Sequence, residues 1–223
     1  MSKPILYNSA RSPHCFKVSM ILEEKQVEFE RIEIDLRSKE QKTPAYLAIN
    51  PLGQVPVYED DRGVHIDSLV IMQYLDKRYP EPRLFPEDKS RAQAALNWID
   101  VSSSTMRDVS HYLYWQLIEP AQEGTDWAEV ERLKTQGYKQ LSAMEASLVA
   151  HGNWLCGNLS AADFSVFAWV YGYKRFDLPS SWDDYPRVKT WYNRLEARPS
   201  VAKSYQKEGR PFKDFTMQKQ AKK

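Results

Sequence analysis

Hydrophobic and polar positions follow two different periods along the chain, and the change falls near residue 80. In the first part, the apolar run Ile5-Leu6-Tyr7 and the alternating segment 28–34 have the pattern of strands. Apolar residues spaced by three or four follow residue 12 and again residue 68, which predicts a helix at each place. The order is strand–helix–strand, a short helix, a two-stranded hairpin and a helix. It predicts a compact α/β domain with a mixed sheet.

Beyond residue 89 every apolar pattern has helical spacing. Helices are predicted over about 90–119 (one long helix or a bent pair), over about 126–150, and after Ser160, Pro186 and Pro199. A proline-rich interval separates this part from the first, as at a domain boundary. We therefore predict an α/β domain at 1–80, a linker at 81–89, an all-helical domain at 90–208 and a polar, basic tail at 209–223.

Composition narrows the functional classes. The 223 residues carry 31 basic and 30 acidic side chains, a formal net charge of +1, which does not suggest nucleic acid or an anionic membrane as partner. No apolar run reaches the roughly 18 residues that span a bilayer, and the N-terminus lacks a signal-peptide core. The two cysteines, Cys15 and Cys156, are too few for a disulfide framework and suit a reducing compartment. We therefore expect a cytoplasmic protein.

The strand-to-helix turn at Ser12 is the first candidate for chemistry. Ser12 is followed by Pro13, and Ser at the N-cap with Pro at the first helical position is a favoured helix start. The predicted helix has an apolar stripe that includes Cys15, with Lys17 and Lys25 off the stripe. The Ser12 hydroxyl lies at the positive end of this helix, where an anion is stabilised. Taken alone, this pattern more often marks a plain N-cap.

Four further motifs give the chain a resemblance to a known family. In chain order they are Asn50-Pro-Leu-Gly-Gln-Val-Pro56, Asp67-Ser68, Ser160-Ala-Ala-Asp163 and Ala197-Arg-Pro-Ser-Val201. Each motif alone is weakly specific, but in this order and at these distances they resemble the cytosolic glutathione transferases, to about residue 205. The resemblance implies a thioredoxin-like α/β domain followed by an all-α helical bundle. It also implies an enzyme that uses glutathione as co-substrate.

The resemblance implies contacts for each part of glutathione. Val55-Pro56 is implied to be a cis peptide that presents the Val55 main chain to the cysteinyl unit as an extended template. Asp67 is implied to pair with the γ-glutamyl amine, while Ser68 and the helix N–H groups bind the γ-glutamyl carboxylate. Gln41 matches a position that binds the glycyl end in several classes, and Gln54 is a second candidate for that end.

The chemistry is implied by the run Ser12-Pro-His-Cys-Phe-Lys-Val18. It resembles the theta, zeta and omega classes, in which a catalytic Ser or Cys occupies the place of Ser12. Ser12 is therefore expected to donate a hydrogen bond to the glutathione thiolate, although Tyr7 invites comparison with classes that use a tyrosine of the first strand. Cys15 has the second place of a Cys-x-x-Cys pair whose first Cys is absent, and we expect it to be buried and inert. This favours conjugation, dehalogenation or peroxide reduction over disulfide exchange.

A small electrophile is expected as the second substrate, between the two domains and against the long helix after residue 90. The candidates for its pocket are Arg11, Met106, Arg107, His111, Tyr112 and Trp115. A stripe of Met and aromatic residues at helical spacing is also typical of a core, so that alternative stays open. His65 and His111 lack metal-ligand spacing with any Cys or carboxylate, so no metal is predicted, and His14 is expected on the surface.

Two functions stay open at the level of the sequence. The first is a Ser-type glutathione transferase acting on a small electrophile, and the second is a non-catalytic binding or scaffold protein of the same fold. Ser12, Gln41, Val55-Pro56 and Asp67-Ser68 together favour the enzyme, because a scaffold has no need of both ends of a peptide site. The basic tail is the one feature that favours a scaffold. The resemblance further implies a homodimer.

Overall fold

The computed structural model describes residues 3–119, 124–204 and 210–211. Four of its strands lie in the first part of the chain, helices fill most of the rest, and a short fifth strand lies at 210–211. The strands are β1 (Ile5–Asn8), β2 (Glu30–Glu33), β3 (Val57–Asp60), β4 (Gly63–Ile66) and β5 (Arg210–Pro211). The helices are α1 (Pro13–Glu24), α2 (Pro44–Leu47), α3 (Ser68–Arg78), α4 (Lys89–Val101), α5 (Arg107–Leu117), α6 (Trp127–His151), α7 (Ala161–Tyr173), α8 (Pro186–Glu196) and α9 (Pro199–Ser204). The described residues also form two 3-10 helices, Glu40–Lys42 and Lys174–Phe176, and a π-helical segment, Ser102–Met106. The fold class predicted from the sequence is confirmed.

A mixed sheet forms the centre of the first part. Among the described residues its strand order is β4-β3-β1-β2-β5, with β1 parallel to β2 and β3 antiparallel to both β1 and β4. Apolar side chains pack together on it and are fully buried: Tyr7, Ile32, Ile34, Tyr46 and Val57. Burial of this apolar surface is the main force that holds the sheet to its helices. The arrangement is that of a thioredoxin-like domain.

Polar caps fix the starts of several helices. A side chain just before the helix accepts a hydrogen bond from a main-chain N–H of its first turn at Ser12, Thr43, Asp67, Asp88 and Asp126. These N–H groups have no partner inside the helix, so each cap removes the cost of leaving one unsatisfied. The helix starts predicted at Ser12, Asp67 and Asp126 are confirmed.

The predicted long helix is present with one interruption. α4 and α5 are joined by a π-helical segment, Ser102–Met106, whose sequence is three serines, a threonine and a methionine. Ser102 donates its hydroxyl to the carbonyl of Ile99, and Ser104 donates to the carbonyl of Asp100, each at 2.7 Å. Hydroxyl groups that bond to the preceding turn compete with the regular helical ladder, which accounts for the local widening.

The core of the helical part is built around α7 and the carboxylate of Asp163, which is fully buried. It accepts hydrogen bonds from the Leu155 N–H at 3.0 Å, the Ser160 N–H at 2.9 Å, the Ser160 hydroxyl at 3.0 Å and the Trp191 indole N–H at 2.9 Å. Ser160 and Asp163 form the capping box that the sequence predicts. Burial raises the pKa of Asp163, and the hydrogen bonds act in the opposite direction.

Contacts group the described residues into two compact units. Residues 83–197 form one unit, and residues up to 82 form the other together with those from 198 onward. α9 belongs with the first unit because it packs on α1, where Arg198 and Ser200 both bond to the carboxylate of Glu24. The boundaries read from the sequence assign this helix to the second domain, and those boundaries stay a prediction. The tail predicted at 209–223 lies outside the described residues except for Arg210–Pro211.

Candidate functional site

Four segments singled out in the sequence meet at one end of the sheet. Tyr7 of β1 pairs with Val57 of β3, and Val57 pairs with Ile66 of β4, so the chain leaves β1, enters β3 and leaves β4 at the same end. Asn8 lies opposite Glu33 in the parallel pair of β1 and β2, so the segment after β2 is at this end as well. The segments collected there are the turn at Ser12, the loop with Gln41, Val55-Pro56 and Asp67-Ser68.

The hydroxyl of Ser12 caps α1. Its oxygen accepts a hydrogen bond from the main-chain N–H of Cys15 at 3.3 Å, and Pro13 occupies the first helical position. The side chain is half-buried. This bond uses Ser12 as an acceptor, so the hydroxyl proton remains available to a second group. Capping and hydrogen-bond donation to an anion are therefore compatible roles of one side chain.

The turn that carries Ser12 is fixed from β2. Glu33 accepts one hydrogen bond from the Asn8 side-chain amide at 2.8 Å and another from the Ala10 main-chain N–H at 2.5 Å. A carboxylate bonded to two donors is a stronger anchor than a neutral acceptor. Sequence reasoning missed Glu33. The one signal for it in the sequence is an acidic side chain inside a predicted strand.

Cys15 is a buried residue of α1. No part of its side chain is exposed, and its sulfur accepts a hydrogen bond from the Ser9 main-chain N–H at 3.3 Å. Burial raises the pKa of Cys15 to about 12, against weaker opposing effects from Ser12 and Ser9. The thiol is therefore protonated at neutral pH. The prediction that Cys15 is a buried packing residue is confirmed.

Arg11 lies on the exposed part of the same turn. Its charge adds to the effects that lower the pKa of Asp35, the largest of which is the hydrogen bond from the Arg37 main chain. Asp35 follows β2, so Arg11 faces the loop that leads to Gln41.

The turn before β3 is built by Asn50. Its side chain donates to the Gln54 carbonyl at 2.8 Å and accepts from the Leu52 N–H at 3.1 Å, and the Tyr46 hydroxyl donates to the same carbonyl at 2.8 Å. The following peptide, Val55-Pro56, is cis, as the resemblance implies. The structure gives the main chain of Val55 no hydrogen-bond partner among the described residues, and the side chain of Gln54 is exposed.

The backbone of Gln41 lies against Gly53, in the turn before β3. A side chain at Gly53 would meet the Gln41 carbonyl oxygen at 2.8 Å, and Lys42 donates from its ammonium to the Leu52 carbonyl at 3.2 Å. The side-chain oxygen of Gln41 is buried without a partner in the described part of the chain. A buried amide oxygen without a partner is costly, and the group that would satisfy it is a hydrogen-bond donor. Lys42 was not singled out by the sequence reasoning.

Asp67 and Ser68 open α3 in an unusual conformation. Asp67 has a φ of 72°, which non-glycine residues rarely adopt, and its carboxylate accepts from the N–H groups of Leu69 at 2.8 Å and Val70 at 3.2 Å. Asp67 is exposed and Ser68 is nearly buried. The Ser68 hydroxyl lies 3.4 Å from Nδ1 of His14. His14, expected on the surface, is half-buried and contacts the start of α3.

The residues predicted for the second-substrate pocket differ in exposure. Met106 is fully buried in the core of its unit, which is the alternative that helical spacing left open. On α5, His111, Tyr112 and Trp115 are exposed, and the Trp115 indole N–H donates to His111 Nε2 at 3.2 Å. Arg107 is exposed and pairs with Asp108 at 2.7 Å.

Within the described ranges, no group of three or more His, Cys, Asp or Glu side chains is arranged to hold a metal ion. Over the same ranges, no helix is both long enough and apolar enough to cross a membrane.

Comparison with known proteins finds similarity over most of the chain. The family description "Glutathione S-transferase, N-terminal domain" matches residues 6–83, and "Glutathione S-transferase, C-terminal domain" matches residues 107–208. The "Probable glutathione S-transferase GSTF1" of Oryza sativa subsp. japonica is 31% identical over 205 residues, which cover 89% of this chain and 93% of that protein. The "Glutathione S-transferase GstB" of Escherichia coli strain K12 is 26% identical over 201 residues, with 89% and 95% covered.

The similarity extends to solved structures. The glutathione transferase URE2P6 from Phanerochaete chrysosporium, whose crystal structure is a complex with oxidized glutathione, matches with a TM-score of 0.80 at 26% identity. The match covers 91% of this chain and 94% of that one. The agreement spans both the sheet-containing part and the helical part.

Proposed function

Because the chain belongs to the glutathione S-transferase family, we propose that it binds glutathione at the end of the sheet described above and activates its thiol through Ser12. The enzyme class and the fold predicted from the sequence are confirmed at the level of the family. The observation that carries the proposal is the bond from the Cys15 N–H to Ser12, because it orients the hydroxyl at a helix start and leaves its proton for the ligand. This Ser-type activation is the arrangement that resembles the theta and zeta classes.

The tripeptide has a matching group at each end. Asp67 receives the γ-glutamyl amine, and Ser68 receives the γ-glutamyl carboxylate through its hydroxyl and its main-chain N–H, because the next two N–H groups of α3 already bond to Asp67. The main chain of Val55 pairs with the cysteinyl unit as a short extended strand. Gln41 and Gln54 bind the glycyl end, where their side-chain N–H groups donate to the carboxylate.

The energies are sufficient for one hydroxyl to do the work. A thiol has an unperturbed pKa of about 8.5, and lowering it by two units requires about 2.7 kcal/mol. A hydrogen bond to a charged acceptor contributes roughly 1.5–3 kcal/mol, and a helix N-terminus adds up to about 2 kcal/mol in a partly buried site. Ser12 therefore needs only to donate to the thiolate and need not act as a base.

The reaction is attack of the glutathione thiolate on a small electrophile, by conjugation, dehalogenation or peroxide reduction. The buried, protonated Cys15 supports this choice over disulfide exchange, which needs an exposed protein thiolate. Of the predicted pocket residues, we retain Arg11, Arg107, His111, Tyr112 and Trp115 as contacts for the electrophile. Met106 is left out because it is part of the core.

Two wider expectations belong to the same proposal. We propose a homodimer, with support from exposed apolar side chains on the first unit at Leu52, Val64 and Val70. We also propose a cytoplasmic location, since Cys15 and Cys156 are both unpaired thiols. Light scattering on the purified chain tests the first, with a mass near one protomer as the contradicting result.

The test is titration calorimetry with glutathione, together with activity toward a generic aryl halide for the unmodified protein and for Ser12→Ala. We expect Ser12→Ala to bind glutathione, to lose on the order of 10–1000-fold in kcat/KM, and to shift the thiol pKa in the pH–rate profile upward. Asp88→Ala is the matched control, because it removes the cap of α4, where the carboxylate accepts from the Arg91 N–H at 2.9 Å.

Each outcome separates the open alternatives. Absence of binding near millimolar glutathione contradicts the enzyme and supports the non-catalytic binding or scaffold protein. Binding with unchanged activity in Ser12→Ala moves the activating role to another donor at the turn, of which Arg11 is the nearest in sequence. A similar loss in Asp88→Ala means that helix capping alone explains the effect.

A further inference from the structure

Lys17 is a lysine of α1 without exposed surface, although the sequence pattern places it off the apolar stripe. A buried ammonium is costly unless an opposite charge compensates it. Burial lowers the pKa of Lys17 to about 8, and the carboxylate of Asp67 acts in the opposite direction and favours the charged form. Lys17 is therefore mostly charged at neutral pH, and the carboxylate that favours its charge lies at the start of α3.

His14 of α1 also lies near the start of α3. It precedes Lys17 by three residues, which places both on one side of α1, and its ring meets the Ser68 hydroxyl at 3.4 Å. α1 packs along α3. The two residues assigned to the γ-glutamyl end, Asp67 and Ser68, are thus each approached from α1 by a group that carries or can carry a positive charge.

We propose that Lys17 is a positioning residue for the γ-glutamyl end of glutathione, where its buried ammonium balances the Asp67 carboxylate so that the site offers one charge of each sign. The inference rests on the proposed function. The γ-glutamyl end is a zwitterion, with an ammonium that Asp67 attracts and a carboxylate that an uncompensated Asp67 repels. A charged Lys17 offsets that repulsion, and the hydroxyl and main-chain N–H of Ser68 then hold the carboxylate.

The other charged groups near α1 have partners elsewhere. Lys25 bonds to Asp76 at 2.8 Å and to the carbonyls of Tyr79 and Pro82, at the far end of the helix. Arg198, the residue before α9, pairs with Glu24, also at that end. Three further charged or titratable groups lie near α1: Asp67 of α3, His14 of α1 itself and Arg31 of β2, which donates to Ser19 at 2.6 Å.

The experiment measures affinity for S-methylglutathione, which has no thiol to titrate, and for its analogue with 4-aminobutyryl in place of γ-glutamyl, which lacks the carboxylate. In Lys17→Met at pH 7 we expect about tenfold weaker binding of S-methylglutathione and no weakening for the analogue. The ratio of the variant's Kd to that of the unmodified protein should fall toward one as the pH rises from 7 to 9, because the native ammonium then loses its proton. Dividing the two constants cancels the titration of the ligand itself.

Lys25→Met is the matched control, since it removes another buried lysine, at the C-cap of the same helix and away from the site. We expect it to leave both affinities unchanged. If Lys17→Met does not fold, Lys17→Arg decides: its affinity relative to the unmodified protein should rise from pH 7 to pH 9, because arginine keeps its charge.

The contradicting results are distinct. Equal weakening for the two ligands in Lys17→Met, no weakening at all, or a pH-independent ratio each overturns the inference and leaves the proposed function standing. An unmodified protein that fails to bind S-methylglutathione overturns the proposed function, and this inference with it.

Discussion

Tyr7 donates its phenol O–H to the carboxylate of Glu59 at 2.7 Å, across the pair of strands β1 and β3. The side chain is fully buried, and burial followed by this hydrogen bond raises the pKa of the phenol well above its usual range. A neutral phenol that already donates inside the sheet is a poor partner for a thiolate at the turn beyond it. The relationship separates this tyrosine from the activating tyrosines with which its sequence position invites comparison.

Tyr7→Phe should therefore leave catalysis intact and cost stability. We expect kcat/KM with glutathione and an aryl halide to stay within about twofold, and the free energy of unfolding in urea to fall by about 1 kcal/mol, since one buried hydrogen bond is lost. Loss of most activity together with an upward shift of the thiol pKa in the pH–rate profile would show that the phenol reaches the ligand.

Gly53→Ala should disturb the glycyl end of the site. Gly53 has a φ of 57°, and an added Cβ would meet the Gln41 carbonyl at 2.8 Å, so we expect the loop to shift and the KM for glutathione to rise about fivefold, with a smaller change in kcat. Gly152→Ala is the control, because Gly152 has a φ of 89° and open space around it. An equal rise in KM in both variants would assign the effect to backbone strain in general.

Both thiols should be unreactive in the folded protein. Burial raises the pKa of Cys15 and of Cys156 to about 12, so each is protonated at pH 8 and shielded from solvent. An aromatic disulfide reagent should release far less than one equivalent of thiolate in buffer at pH 8 and two in guanidinium. Rapid release of one equivalent that disappears in Cys15→Ala would contradict the assignment of Cys15 as inert.

Asp163→Ala should destabilise the helical unit more than any cap variant. The change leaves the Leu155 and Ser160 N–H groups and the Trp191 indole without their acceptor in a buried place, which costs about 3–5 kcal/mol. Urea unfolding followed by tryptophan fluorescence measures this, with Asp126→Ala as the control for an exposed cap worth about 1 kcal/mol. A loss no larger than that of the control would mean that water replaces the carboxylate.

The parts of this structure that sequence could predict are those that depend on near neighbours. The caps at Ser12 and at Ser160 with Asp163 each involve residues within four positions, so the pattern of residue types is enough. The anchoring of Asn8 by Glu33 depends on the register of two strands, which the two-residue period does not specify.

The burial of Lys17 is another feature that the sequence could not predict, in this case for a charged side chain. Its helical position predicts a solvated lysine, and only the packing of α1 on α3 brings the Asp67 carboxylate near enough to compensate it. His14 changes from a surface residue to a contact of Ser68 for the same reason. Periodicity records which face of a helix is apolar, whereas these two contacts depend on which charges the neighbouring helix presents.

The bond from the Cys15 N–H to Ser12 orders the Ser12 side chain before the ligand binds. The hydroxyl oxygen is fixed when α1 forms. The rotational entropy of the Ser12 side chain is therefore lost during folding and not when glutathione binds. A donor that is already immobile binds an anion without a further entropic penalty, which is the essence of preorganisation. Variants that loosen the first turn of α1 while keeping Ser12 should accordingly slow the reaction through a less favourable activation entropy, even where every contact to the ligand is retained.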